Sequence, residues 1–356
     1  MTADAHQRAE DVIKRCVDLG FANAGIAPVH PSDYADEFHA WLDKGKHGPM
    51  SWLAEHAEVR TDPAALLDGA RSIIMVADQY ATRNDPPDAP APGVGRIARY
   101  ARGDDYHKVI KKRLHTLADA LREAYPDHAF RACVDTAPLM EREHAARAGL
   151  GWVGKHTLLI DPLRGSYLLL GALLTTLELE PPATQRAIPD HCGTCTRCID
   201  ACPTDAITPY SVDARRCIAT LTIEQRTPID PAFHEPIGDW IFGCDICQQV
   251  CPHNSPRTDP VDVGDINPAY APRRTGFDLL DVLAWQEHDR RDAFTTSAMK
   301  RATLAMMRRN AVIAAGNVLR TQDLPALRAR VEAIAGDEHE DGLVRHAARV
   351  VTSSRR

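Results

Sequence analysis

The chain has 356 residues, of which 44% are hydrophobic and 26% are charged, and its formal net charge is −7. This composition is ordinary for a folded protein, and the length allows two or three domains. The average charge repels phosphate weakly, so nucleic acid requires a local basic patch. The start of the sequence is polar, and no stretch approaches about 20 successive apolar residues, so we expect neither a signal peptide nor a membrane span. We expect a protein of the reducing cytoplasm, and nothing demands more than a monomer.

Residues 1–180 alternate helix and strand patterns, which predicts an α/β domain. Helices are recognised by apolar residues at a spacing of three to four, and strands by short apolar runs between turn residues. The predicted elements, in chain order, are a helix over 9–19 that ends at Gly20, a strand over 72–77, a basic helical segment over 99–120, and two hairpin arms over 156–160 and 166–175 around a turn.

Eight of the ten cysteines fall in one stretch of the chain. At spacings of two and three residues, thiolates can converge on a soft metal centre. Each run ends in a proline, as in the bacterial iron-sulfur pattern whose fourth cysteine serves a second cluster. The runs read Cys192-x-x-Cys195-x-x-Cys198-x-x-x-Cys202-Pro203 and Cys244-x-x-Cys247-x-x-x-Cys251-Pro252.

The second run lacks its first cysteine, because Ile241 stands three residues before Cys244. Cys217 is the only other cysteine in the stretch and completes the set. Two four-cysteine zinc sites would use the same ligands, but the trailing prolines and the triple spacing favour iron-sulfur. The prediction is therefore two [4Fe-4S] clusters, one held by Cys192, Cys195, Cys198 and Cys251, and the other by Cys202, Cys217, Cys244 and Cys247.

Proline-rich stretches at 180–190 and 252–275 indicate domain boundaries. The last part of the chain reads as helical from Phe277 onwards. Helices predicted over 302–319 and 324–334 form a pair of the kind that stacks in HEAT-like repeats. The sequence therefore predicts three domains, over residues 1–180, 181–255 and 273–356.

Two segments concentrate positive charge. Residues 96–113 hold seven basic and two acidic side chains, and residues 298–330 hold seven basic and one acidic. Such segments bind phosphate in some proteins, and in others they are solvated helix faces.

Three further segments are distinctive: Tyr100–His107 (YARGDDYH), Val134–Arg142 (VDTAPLMER) and Gly149–Thr157 (GLGWVGKHT). Neither a Gly-x-Gly-x-x-Gly fingerprint nor a phosphate loop is present. In this order, ahead of ferredoxin-like cysteines, the segments closely resemble the epoxyqueuosine reductase family. The resemblance runs over nearly the whole chain.

The resemblance implies a cobalamin-dependent enzyme that reduces the epoxide of epoxyqueuosine at the tRNA wobble position to queuosine and releases water. It implies an α+β multidomain fold: an α/β cobalamin-binding domain of nitroreductase-like type, a two-cluster ferredoxin-like domain and a C-terminal HEAT-like helical domain. Electrons would come from an unidentified donor protein through both clusters to cobalamin, bound base-off without an axial ligand from the protein.

Asp135 matches the proposed proton donor of the family. Its apolar neighbours predict a pocket in which burial raises the carboxyl pKa, whereas a helix N-cap is the alternative role. The resemblance also suggests cofactor contacts at a wider set of positions, and the basic segment 298–330 predicts tRNA contacts. The cofactor set is Arg60, Tyr106, His107, Asp135, Lys155, His156 and Ser166, and the tRNA set is Lys300, Arg301, Arg308 and Arg309.

Two alternative functions use the same cysteines. A reductive dehalogenase, from a related family, usually carries a twin-arginine signal, and a ferredoxin-like electron carrier would not need the VDTAPLMER segment. One motif is misleading: residues 337–342 spell the Asp-x-His-x-x-Gly pattern by which some cobalamin proteins supply a histidine to cobalt. A predicted helix precedes it and only a short tail follows, so we predict an interhelical loop there.

Overall fold

The computed structural model describes residues 2–86, 91–259 and 261–353. The strands are β1 (Asn23–Pro28), β2 (Ser72–Gln79), β3 (Val94–Ile97), β4 (Phe130–Cys133), β5 (Trp152–Val153), β6 (Leu159–Ile160), β7 (Leu168–Thr175), β8 (Ile207–Thr208), β9 (Ser211–Val212), β10 (Trp240–Phe242) and β11 (Gly276–Asp278).

The helices of the same residues are α1 (Thr2–Asp18), α2 (Ala35–Asp43), α3 (Trp52–Glu55), α4 (Ala57–Thr61), α5 (Tyr106–Ala124), α6 (Glu141–Arg147), α7 (Arg197–Asp200), α8 (Ile218–Ile223), α9 (His234–Ile237), α10 (Ile246–Gln249), α11 (Leu279–Ala284), α12 (Glu287–Ala293), α13 (Leu304–Val318), α14 (Pro325–Gly336) and α15 (Gly342–Ser353).

The main sheet has the strand order β1-β2-β7-β4, and all neighbouring strands are antiparallel. Strand β2 is buried along its whole length. Its Ile74 and Val76 face a core shared with α1 and α5, whereas Ile73 and Met75 face a core shared with α6. Successive side chains of a strand point to opposite faces, so helices cover both faces of this sheet. The strand predicted over 72–77 and the helix predicted to end at Gly20 are confirmed as β2 and α1.

The predicted hairpin is wrong. Strand β6 pairs with β5, while β7 pairs with β2 and β4 in the main sheet. Only an isolated bridge between Asp161 and Gly165 links the two predicted arms. The apolar β7 lies between the eight-residue β2 and the four-residue β4, which the two-residue β6 cannot replace.

A second sheet, of order β10-β3-β11, joins segments that are far apart in the chain. Strand β3 lies in the predicted domain of residues 1–180, β10 in that of residues 181–255 and β11 in that of residues 273–356. One hydrophobic core accompanies the sheet and includes Ile97 of β3, Trp240 of β10 and Val312 of α13. A Cβ atom added at Gly95 would lie 2.7 Å from the side chain of Ile241, so this close approach of β3 and β10 requires glycine. The three ranges therefore share a core.

The C-terminal helices follow the sequence pattern with one difference. The predictions over 302–319 and 324–334 are confirmed as α13 and α14, which pack with α15. The loop between α14 and α15 contains the Asp-x-His-x-x-Gly motif, as predicted. Residues 276–278 form β11 instead of a helix. The carboxylate of Asp278 accepts hydrogen bonds from the amides of Leu280 and Asp281, so it caps α11 at its start.

Arg309 and Asn310 tie α13 to the cysteine-bearing segment. Arg309 is fully buried, and its guanidinium donates to the carbonyl oxygen of Leu221 in α8 at 2.9 Å. The Asn310 amide donates to the carbonyls of Thr222 in α8 and Ile241 in β10, at 2.9 and 2.8 Å. Burial lowers the pKa of Arg309 to about 10, so the side chain is still charged at neutral pH. Buried carbonyl groups need donors, and these two residues supply them.

This clamp acts next to two of the predicted cluster ligands. Helix α8 begins directly after Cys217, and β10 ends two residues before Cys244. Helix α13 therefore positions both cysteines through hydrogen bonds from its side chains to the neighbouring backbone carbonyls.

We expect Arg309→Leu to lower the free energy of unfolding by about 2–4 kcal/mol, because several buried carbonyls would lose their donor. Denaturant unfolding under anaerobic conditions measures this. The matched control is Arg320→Leu in the turn after α13, since Arg320 is half exposed and pairs with the exposed Glu235; it should change stability by about 0.5 kcal/mol or less. Equal effects of the two variants would contradict the clamp.

Candidate active site

The seven cysteines of the two runs and Cys217 are free thiols, and these eight gather into two groups. In the first, Cys251 interacts electrostatically with Cys192, Cys195 and Cys198. In the second, Cys244 interacts with Cys217 and Cys202, and Cys247 with Cys244 and Cys217. Each group unites the thiols that the spacing assigns to one cluster. The first thiol group is Cys192, Cys195, Cys198 and Cys251; the second thiol group is Cys202, Cys217, Cys244 and Cys247.

Short helices position these thiols. Helices α7 and α10 pack against each other and carry Cys198 and Cys247. These two thiols also interact across the gap between the groups. Cys217 occupies the N-cap position of α8. The two groups are therefore neighbours, each built from both halves of the segment.

The thiols suit a soft metal centre. Burial raises the pKa values of six of them, to about 11 at Cys251, so these six keep their protons unless a cation binds among them. Within the described residues, no three His, Cys, Asp or Glu side chains converge closely enough to hold a single metal ion.

Asp135 lies two residues after β4, beside the start of α5. Its φ of +47° is in the left-handed region, which residues other than glycine rarely adopt. Its Oδ2 accepts a hydrogen bond from the Tyr106 hydroxyl at 2.9 Å and lies 2.8 Å from His107 Nε2. Tyr106 and His107 begin α5, and the Asp105 side chain caps this helix by accepting from the His107 amide. The capped helix end thus holds two polar side chains against Asp135.

The His107 ring lies between two carboxylates. Its Nδ1 is 2.8 Å from Asp105 Oδ1, and its Nε2 is 2.8 Å from Asp135 Oδ2. Only the doubly protonated ring can donate to both. Burial opposes this charge, but the two hydrogen bonds prevail and raise the pKa of His107 to about 9.

Burial alone would raise the pKa of Asp135, but the hydrogen bond and charge of His107, together with the Tyr106 hydroxyl, hold that pKa below its ordinary value. The expectation that burial keeps Asp135 protonated is therefore wrong. At neutral pH the pair carries its proton on His107.

Glu141 holds the backbone of Asp135 in place. Its Oε1 accepts a hydrogen bond from the Asp135 amide at 2.8 Å. Burial, and then the charge of Asp135, raise the pKa of Glu141 to about 8. The guanidinium groups of Arg60 and Arg142 interact with both carboxyls, and Arg60 donates to the carbonyl of Leu139 at 3.2 Å. The loop that bears Asp135 is therefore fixed on both sides.

These groups form a partly open site, called the cleft below, that adjoins the second thiol group. The Asp135 side chain is 55% exposed, so a substrate can reach its carboxylate. The Tyr100 ring packs edge-on against Tyr106, with centroids 6.1 Å apart. Burial and the charges of Asp135 and Asp245 raise the pKa of Tyr100. Because Asp245 follows Cys244 in the chain, one tyrosine connects the cleft to the second thiol group.

Two of the predicted cofactor contacts lie at the first thiol group instead. Lys155 Nζ donates to the carbonyls of Gly193 and Cys195, at 2.6 and 3.0 Å. Ser166 is 3% exposed, and its hydroxyl accepts from the side chains of Gln248 and Asn254. The structure does not support the predicted contact at Ser166, because its hydroxyl is buried and already bonded. It fastens the main sheet to the cysteine segment.

His156 is buried near the cleft. Its Nδ1 accepts from the Leu158 amide at 3.2 Å, and its Nε2 has no hydrogen-bond partner among the described residues. Burial, and then the charge of Arg142, lower the pKa of His156 to about 4. The ring is neutral and keeps one polar atom available.

The predicted tRNA contact at Arg309 is wrong, because Arg309 is fully buried in the clamp described above. The structure does not support the contact at Arg308, because its side chain is 11% exposed and pairs with Glu340 at 2.6 Å. The sequence did not reveal this burial, because arginines in a helix that is covered on most sides look the same in sequence as a basic patch on the surface.

Other cations of the two basic segments are exposed. Lys300 is exposed. Arg301 is 44% exposed, pairs with Glu224 at 2.5 Å, lies over the Trp52 ring at 4.3 Å from its centroid, and contributes to the low pKa of Asp135. Lys108, Lys111 and Lys112 are exposed on α5, the helix that begins at Tyr106.

Two four-thiol groups beside a cleft with a proton-bearing imidazole and carboxylate define an iron-sulfur oxidoreductase. Residues 191–254 match the family of the 4Fe-4S double cluster binding domain, and residues 60–136 match the family described as epoxyqueuosine reductase QueG, DUF1730.

An epoxyqueuosine reductase of Synechococcus sp. (strain CC9605) is 40% identical over 320 residues, covering 87% of this chain and 96% of that protein. A solved epoxyqueuosine reductase with an epoxyqueuosine-modified tRNA stem loop has a TM-score of 0.82 at 27% identity, over 96% of this chain and 88% of that one. The Bacillus subtilis enzyme, described with its catalytic aspartate loop swung out of the active site, has a TM-score of 0.82 at 26% identity, with the same coverage.

The chain belongs to the epoxyqueuosine reductase family and is an oxidoreductase. The dehalogenase and electron-carrier alternatives are not favoured. In the part of the chain that the structure describes, no helix is both long enough and apolar enough to cross a bilayer.

Proposed function

We propose that this chain reduces the epoxide of epoxyqueuosine at the wobble position of a tRNA anticodon to the cyclopentene of queuosine, as a cytoplasmic monomer. The observation that carries this proposal is the position of the Asp135–His107 pair and the second thiol group at one cleft. Removing the epoxide oxygen as water takes two electrons and two protons. At the cleft, the second thiol group is the proposed source of electrons and the Asp135–His107 pair is the proposed source of protons.

Asp135 is the proposed final proton donor, and His107 is the proposed store of the proton. Asp135 Oδ2 is taken by Tyr106 and His107, whereas Oδ1 has no hydrogen-bond partner among the described residues. His107 Nε2 first transfers its proton to the Asp135 carboxylate, and the carboxylic acid so formed then donates that proton to the epoxide oxygen. Glu141, with its pKa raised to about 8, is protonated at neutral pH and is a second proton reservoir.

The proposed electron path runs from the first thiol group to the second and then to the cleft. It is supported by the contact between Cys198 and Cys247 and by the neighbourhood of Asp245, Tyr100 and Asp135. Each [4Fe-4S] cluster passes one electron at a time, so one reaction needs two transfers.

The residues of the cleft fit cobalamin, which the family resemblance implies. Arg60 Nε and His156 Nε2 are buried polar atoms without partners among the described residues, and a corrin offers amide and phosphate groups to satisfy them. Arg60, Tyr106, His156 and Arg142 would hold it. When bound, cobalamin supplies a low-potential centre for reduction of the substrate. Both ring nitrogens of His107 are engaged by carboxylates, so this ring is not free to bind a metal.

The exposed cations are the proposed tRNA surface, in place of Arg308 and Arg309. A wobble nucleotide must leave its stack to reach the base of a cleft. Arg301, held over Trp52 near Asp135, can stack on a base or meet its phosphate. Lys300 lies beside it. The lysines of α5 continue the positive surface away from the cleft mouth, because this helix begins at Tyr106.

Asp135→Asn should leave the clusters and corrinoid bound and lower turnover by about 10²- to 10⁴-fold, since the amide cannot transfer a proton. His107→Gln should lower turnover and also change the pH profile. The wild-type rate should fall as pH rises through about 9, the pKa of His107, because the stored proton is then lost. The limb near pH 9 should be lost in His107→Gln, in which only the loss of the Glu141 proton near pH 8 is left to lower the rate.

The matched control is Tyr106→Phe, which removes a bond to Oδ2 but no stored proton, and should cost about tenfold or less. Rates are measured by mass spectrometry of the tRNA nucleosides, and visible spectra report the cofactors. A parental rate in Asp135→Asn, or the same alkaline limb in His107→Gln, would remove these proton roles.

Lys300→Glu and the pair Lys111→Glu/Lys112→Glu should each weaken binding of the anticodon stem loop. The slope of log K against log salt should fall by about one for each lost phosphate contact. Lys14→Glu on α1 is the control, because Lys14 is exposed and already paired with Asp18. Anisotropy titrations at several salt concentrations measure both quantities. Affinity that stays unchanged in the test variants would identify these lysines as solvated helix faces.

A further inference from the structure

The first thiol group lies beneath an exposed surface that the proposed reaction does not use. We call it the thiol-loop surface and define it by Arg83, His191, Tyr210, His253 and Arg257. Both histidine rings contact Trp152 edge-on, with centroids 5.1 and 4.8 Å away. Trp152 packs in turn in a small core with Cys251 and Cys192. The surface is therefore continuous across both loops that carry the first thiol group.

Tyr210 is a fixed aromatic contact on this surface. It is 48% exposed and has a φ of +63°, a backbone conformation that costs energy unless its surroundings impose it. Its amide donates to the carbonyl of Lys155 at 3.1 Å, and its hydroxyl donates to Asp190. The other carboxylate oxygen of Asp190 accepts from the Cys192 amide at 2.7 Å. An exposed ring held at its backbone and its hydroxyl loses little freedom when a partner binds.

The two arginines leave positive charge on the surface. Arg83 Nε donates to the carbonyl of Ser255 at 2.9 Å, and Arg257 Nη1 donates to the carbonyl of Pro162 at 3.3 Å. Neither forms a salt bridge with a carboxylate within the described residues. Arg83 also interacts electrostatically with the Cys251 thiol. The surface therefore complements an acidic partner and lies directly over the first thiol group.

We propose that the thiol-loop surface is the docking site of the electron donor, a small one-electron redox protein with an acidic face. This inference rests on the proposed function. In each encounter the donor loses one electron and the first cluster gains one, so two encounters supply the two electrons of one epoxide reduction. No atoms are transferred at this surface. RNA phosphates would also meet these arginines, but Asp135, where the substrate nucleotide must arrive, adjoins the second thiol group.

The test is Arg257→Glu, assayed with an acidic plant-type [2Fe-2S] ferredoxin as the donor probe. At low salt, the KM for ferredoxin should rise by about fivefold or more, and the affinity measured by a ferredoxin-binding titration without tRNA should fall by a similar factor. Turnover driven by reduced methyl viologen, a small mediator that needs no docking face, should stay at the parental rate. Stem-loop affinity should also be unchanged.

Arg349→Glu on α15 is the matched control, since Arg349 is likewise exposed and bonded to a carbonyl, and it should not change ferredoxin binding. Arg257→Gln should show a smaller effect in the same direction, which separates charge from misfolding. Unchanged ferredoxin affinity in Arg257→Glu would overturn the docking site, and weaker stem-loop binding would reassign the surface to RNA. Absence of viologen-driven turnover in the parental enzyme would overturn the proposed function, while ferredoxin binding still tests the docking site.

Discussion

The constraint on which this structure depends is the gathering of eight thiols, two of them buried and six half-buried, into two adjacent groups. A buried thiolate is stable only beside a cation, so each group must keep a fixed shape into which a metal centre fits. Other parts of the chain supply that shape. Helix α13 holds the backbone next to Cys217 and Cys244 through Arg309 and Asn310. Lys155 holds the loop of the first thiol group through two carbonyls.

The cleft depends on a second arrangement, in which one imidazole lies between two carboxylates. The proton that ionised Asp135 lacks is kept on His107, and Glu141 holds the strained backbone of the same loop. Since the second thiol group adjoins this cleft, the proposed sources of electrons and of protons lie at one site. The small sheet of β3, β10 and β11 explains how this is possible, because it joins the chain segments that carry the two functions.

Much of this could be predicted from the sequence. Cysteine spacing fixes local ligand geometry, so the membership of the two thiol groups could be predicted from the two cysteine runs and Cys217. The VDTAPLMER segment pointed to Asp135 and contained Glu141, whose bond to the Asp135 amide needs only a loop of six residues.

The rest depended on tertiary contacts. The pKa of His107 is raised and that of Asp135 is lowered because α5 and the loop after β4 lie close together. The spacing of residues in the sequence does not show this contact. The burial of Arg308 and Arg309 follows from packing on both sides of α13. The pairing of β7 with β2 and β4 follows from competition between strands, which the local hairpin pattern could not show.

The most direct test of the central claim is iron and sulfide analysis of paired cysteine variants after anaerobic reconstitution. The parental chain should hold about eight irons. Cys202→Ala/Cys217→Ala removes two ligands of the second thiol group and should leave about four irons. Cys198→Ala/Cys202→Ala removes neighbours in sequence that belong to different groups, so it should leave almost none. If the second variant instead kept about four irons and the first lost nearly all, the two-group arrangement would be contradicted.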